Sequence, residues 1–140
     1  MNTVARAAAW RVLPVIFVHI AAGFWIDEVQ SSGPYVIRNL IPLAILLLLA
    51  TLTLLRGAGR WTGSGVRMLL GTIGFSIPAL GLSAYLHYAF SVNLNELFTS
   101  AEQSVQVFRY LPLYTTGAGG IGFLIGWIIG RNAQDASTKA

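Results

Sequence analysis

Apolar residues in this chain run in long unbroken blocks rather than in alternation. Four blocks stand out, over approximately residues 7–26, 36–55, 66–90 and 110–130. A hydrocarbon core of about 30 Å takes about 20 helical residues to cross, so each block is long enough to span a membrane. Lipid offers no partner to an unpaired backbone group, which leaves helices and closed barrels as spanning forms. A barrel needs alternating segments of about ten residues, and these blocks do not alternate. The pattern therefore predicts an all-α, integral membrane four-helix bundle.

The polar intervals differ from one another. Residues 27–35 make a short connection that turns at Ser31-Ser32-Gly33-Pro34, and residues 56–65 make a glycine-rich one. Between blocks three and four, Leu94, Leu97, Phe98, Ala101, Val105 and Phe108 recur at helical spacing. Asn93 followed by Glu96 has capping-box spacing. This predicts a short amphipathic interfacial helix over approximately residues 94–108, lying on the outer surface. Its face lacks basic residues, so its apolar side is expected to meet the protein's own helices or a second subunit. Residues 132–140 read as a polar tail at the end of a single transmembrane domain, residues 1–131.

Composition agrees with the pattern. Apolar residues make up 55% and charged residues 10%, with a mean hydropathy of +0.66, against about 25% charged in a soluble domain. The net charge of +4 comes from residues that flank the apolar blocks. They form no continuous basic stripe, so nucleic acid is not the expected partner. With the N-terminus inside, Arg6, Arg11, Arg56, Arg60, Arg67, Arg131 and Lys139 lie inside, seven in all, and Arg38 and Arg109 lie outside. This bias places both termini in the cytoplasm of a multi-pass cell (inner) membrane protein. Arg6 and Arg11 ahead of Val12–Phe24 also resemble a cleavable signal peptide over residues 1–23, with Ala21-Ala22-Gly23 as its site. That alternative leaves three spans. The chain has no cysteine, which excludes thiolate metal sites and cysteine nucleophiles.

Candidate chemistry is sparse. His19 and His87 are the two histidines, and both fall in the outer half of their spans. Paired imidazoles on neighbouring helices can ligate a b-type haem, and small residues flank both positions: Ala22 and Gly23, Ser83 and Ala84. The alternative is a histidine hydrogen-bonded to a backbone carbonyl. In the third span Thr72, Ser76, Ala79, Ser83 and His87 share one face, either as a polar path through the membrane or as a packing stripe. Pro78 lies within that span and can kink it. The fourth span carries Ala118, Gly122, Gly126 and Gly130 at four-residue steps, a flat groove for close helix approach within the fold or between subunits. No metal set and no nucleophile–base–acid set is visible, and glycines 57, 59, 63 and 65 lack the strand–helix context of a phosphate loop.

The sequence thus leads to a non-catalytic accessory or scaffold subunit, in contact with the bilayer and with other membrane subunits or copies of itself. A small oligomeric transporter or channel using the third-span stripe is the alternative. A haem-binding subunit using His19 and His87 is the second.

Overall fold

The computed structural model describes residues 3–31, 33–63, 65–94, 98 and 101–139; the side chains of residues 101–104 and 134–139 fall outside the description. Among the described residues five helices follow one another: α1 (Thr3–Val29), α2 (Val36–Asn39), α3 (Ile41–Arg56), α4 (Val66–Ser91) and α5 (Ala101–Lys139). Four segments among the described residues are long and apolar enough to cross a membrane: Thr3–Val29, Val36–Arg56, Val66–Ser91 and Val105–Ala133. These match the four apolar blocks of the sequence.

The second span is broken near its start. Pro42 cannot supply the N–H that the Arg38 carbonyl would accept. The Leu40 N–H is shared between the carbonyls of Val36 and Ile37, and the Ala44 N–H donates to the Leu40 carbonyl. α2 and α3 are consequently one span with a restart, not a single smooth helix. α1 passes through Ala21-Ala22-Gly23 without a break.

The fourth span also differs from expectation. The expected surface helix over residues 94–108 is not a separate element in its described part. Residues 101–108 are the first two turns of α5, which continues to Lys139. Leu97 and Glu96, and with Glu96 the expected capping box, lie outside the described residues. The backbone of residues 132–139, expected as a tail, continues α5. The apolar face of the expected surface helix does meet the protein's own helices: Phe98 and Phe108 stand edge-on to Phe90 with ring centroids 5.2 and 5.0 Å away.

The chain runs up, down, up and down, so both termini share one face with the 57–65 connection. The Arg11 guanidinium donates to the Gly59 carbonyl across that face. Gly59 has φ +80, and a Cβ there would stand 2.8 Å from the Ala7 Cβ, so only glycine lets the connection lie against α1. At the opposite end, here the loop face, α1, α4 and α5 converge on His87.

α4 and α5 form the tightest pair. A core of Leu46, Phe75 and Ala79, joined by Ile45, Leu49, Leu80 and Phe123, ties α3 to them. α1 is held least. Of its 27 residues, only Ala8 and Ile26 are buried, one near each end.

Candidate functional site

His87 sits at the centre of the loop-face end and is fully buried. Its Nδ1 lies 2.7 Å from the Ser83 carbonyl oxygen. A carbonyl only accepts, so Nδ1 carries the proton. Nε2 is then an acceptor, and the Gln30 amide nitrogen donates to it at 2.8 Å. Trp25 from α1 and Phe108 from α5 flank the ring at 5.7 and 5.0 Å. The arrangement is a neutral imidazole with both nitrogens used, joining three helices through one side chain.

His19 is placed elsewhere. Its Nδ1 donates to the Val15 carbonyl one turn back, at 2.6 Å, and its Nε2 is buried without a partner among the described residues. His19 lines two crevices beside α1, and His87 lines neither. Haem ligation by the pair needs one free ring nitrogen from each; His87 has both engaged within the fold, so the structure adds nothing to that reading. Among the described residues no group of three histidine, cysteine or carboxylate side chains could hold a metal ion.

The third-span stripe is bonded inward. The Thr72 and Thr53 hydroxyl oxygens stand 2.9 Å apart between α4 and α3; each hydroxyl donates to a carbonyl on its own helix at 2.8 Å, and one of the two protons is shared with the other hydroxyl. Ser76 donates to the Ile73 carbonyl, and Ser83 sits 3.5 Å from His87 Nδ1. Thr72, Ala79, Ser83 and His87 are buried, while Ser76 is half-buried against a crevice. The hydroxyls of Thr53, Thr72 and Ser76 bond to backbone carbonyls, as packing polar groups in membranes do.

The glycine groove of α5 is filled by α4. A Cβ on Gly126 would stand 2.1 Å from the Leu70 carbonyl oxygen, and one on Gly130 would stand 2.6 Å from Arg67 Cα. Gly119, not Ala118, extends the contact toward the loop face, where a Cβ would stand 2.7 Å from the Phe75 ring. Ala118 is half-buried. The groove therefore serves the fold of the single chain.

Two crevices lie along α1. One crevice of about 660 Å³ runs between α1, α3 and α4, and another of about 500 Å³ lies between α1 and the second span. Along one stripe of α1, Trp10, Leu13, Phe17, Ile20 and Phe24 are all exposed, and Ile20 and Phe24 also border the crevice toward the second span. They follow one another by three, four, three and four residues, the spacing of a helix-pairing seam.

Sequence reasoning missed Gln30, Gly71, Gly74 and this seam. Gly74 stands four residues before Pro78, a spacing that frees its carbonyl and could have drawn notice. The seam was hidden because nearly every position of the first block is apolar. Nothing local marks Gln30 as the partner of a residue 57 positions away. No protein-family model matches this chain, and no curated protein or solved structure matches it.

Proposed function

We propose that this chain is a non-catalytic membrane subunit that pairs through α1 with a second apolar transmembrane helix. The observation that carries this reading is the exposed seam of Trp10, Leu13, Phe17, Ile20 and Phe24 on the one span that the rest of the fold barely covers. Phe17 and Phe24 are 68% and 73% exposed. Large residues at alternating three- and four-residue steps suit knobs-into-holes packing against a partner helix. The α5 groove is not available for this purpose, because α4 occupies it at backbone distance.

The same proposal places the terminal face in the cytoplasm of the cell membrane. It rests on the seven basic residues near that face against two near the loop face. A carboxy-terminal fluorescent fusion should fluoresce and a carboxy-terminal alkaline phosphatase fusion should stay inactive; the reverse pair overturns this orientation. For the pairing itself, native mass spectrometry in mild detergent should show a complex. Replacing Phe17 and Phe24 together by alanine should dissociate it while leaving thermal unfolding of the chain unchanged. A complex indifferent to that change excludes the α1 seam, and its composition distinguishes a second copy from another subunit.

A further inference from the structure

We propose that the crevice between α1, α3 and α4 holds an acyl chain of an anionic phospholipid whose phosphate is bound by Arg11 and Arg60. This goes beyond the pairing reading and does not depend on it.

The depth of the crevice points to a lipid chain. Its wall on α4 extends from Leu69 to Leu80, eleven residues or about 16 Å at 1.5 Å per residue. Half of a hydrocarbon core of about 30 Å is about 15 Å. The crevice therefore runs from headgroup level to the midplane, the reach of one leaflet. Val15 and Val18 of α1 and Leu46 of α3 form its other walls, and Trp61 closes its terminal-face end. An indole favours headgroup depth, which places that end at the interface.

Charge stands at the same end. Arg11 lies one and two turns before Val15 and Val18 on the same side of α1, so its side chain stems from the crevice wall. One of its amino groups donates to the Gly59 carbonyl. A guanidinium has five N–H donors, so the rest remain for an anion. Arg60 follows Gly59, is exposed, and precedes Trp61. The close fit of Gly59 against Ala7 fixes this connection to α1, which holds the two arginines on one mouth. Among the residues with described side chains, the acids are Asp27 and Glu28 at the far end of α1, so none of them competes on this face. Basic pockets between spans attract anionic headgroups in this way, and the mainly apolar wall, interrupted by His19, Thr72 and Ser76, selects a lipid over a free phosphate.

The test is native mass spectrometry of the full chain in detergent, titrated with dioleoyl phosphatidylglycerol or dioleoyl phosphatidylcholine. The wild type should bind the anionic lipid more tightly. Arg60→Gln should weaken that binding about fivefold, and Arg11→Gln with Arg60→Gln about thirtyfold, at roughly one surface charge each; binding of the choline lipid, whose phosphate charge is offset by its own ammonium, should fall by a smaller factor. The Arg60 side chain is exposed and makes no hydrogen bond or ion pair among the described residues, so this variant should keep its fold, which a thermal melt verifies. Ser76→Phe, which fills the crevice, should weaken both lipids, and Arg109→Gln on the loop face should weaken neither. Equal affinity for the two lipids, or an Arg60→Gln variant with wild-type binding, overturns the proposal. Displacement of the anionic lipid by millimolar glycerol 3-phosphate also overturns it, because a bare headgroup site needs no crevice.

Discussion

Gly74 and Gly122 meet backbone to backbone: a Cβ on Gly122 would stand 2.1 Å from the Gly74 carbonyl oxygen, and a Cβ on Gly74 would stand 2.2 Å from the Gly122 carbonyl oxygen. The contact is reciprocal. Gly74 precedes Pro78 by four residues, so its carbonyl has no intrahelical N–H to accept. That carbonyl is directed at the Gly122 Cα–H, a weak donor recurrent at close helix crossings. A break in one helix and a missing side chain in the other thus form a single contact.

Gly122→Leu should therefore destabilise the chain by at least about 2 kcal/mol, the scale of overpacking a close contact. Backbone, not a flexible side chain, stands in the way. Gly120→Ala has open space around its new methyl and should be neutral or slightly stabilising, since alanine favours helix over glycine by about 1 kcal/mol. Reversible unfolding in mixed micelles followed by circular dichroism measures both. A Gly122→Leu chain that unfolds with the wild type contradicts the close crossing.

The Gln30–His87 bond makes a second expectation. Gln30→Leu leaves the His87 Nε2 buried without its donor, a loss of about 1–3 kcal/mol. Nitrogen-15 chemical shifts of the His87 ring should show Nδ1 protonated and Nε2 bare at neutral pH in the wild type. A ring protonated at Nε2 instead contradicts the arrangement of Ser83 and Gln30.

Thr53 and Thr72 should show weak coupling. Interhelical hydroxyl bonds in membranes average about 0.6 kcal/mol. A double-mutant cycle with Thr53→Val and Thr72→Val should return a value near that figure. Coupling above about 2 kcal/mol would point to a role for this pair beyond packing.

Much of the architecture was legible because lipid imposes a length on each span, and the four apolar blocks have that length. The restart at Leu40 was foreshadowed by Pro42 but does not interrupt the apolar block that hydropathy reads. The surface helix over 94–108 was separated from the fourth span because polar Gln103, Gln106 and Arg109 intervene; α5 carries residues 101–108 forward as one helix, with Phe108 turned onto Phe90 and His87. The small-residue row of α5 was visible, but its partner was not. Gly71 and Gly74 read as ordinary members of an apolar block until α4 lies against α5. The histidines were legible as unusual and not as separate, since His87 is placed by Gln30 from a distant part of the chain and His19 by the Val15 carbonyl on its own helix.

The absence of cysteine makes the α1 seam directly testable. A single cysteine placed at any position from 10 to 24 is the sole thiol of its variant, and a thiol-reactive benzophenone, which inserts into C–H bonds on illumination, reports in native membranes what lies beside it. Cross-linking should peak at positions 10, 13, 17, 20 and 24 and fall at Val12 and Ile16, which are half-buried toward the fold. A flat profile, or peaks confined to the faces covered by α3, would contradict pairing through α1.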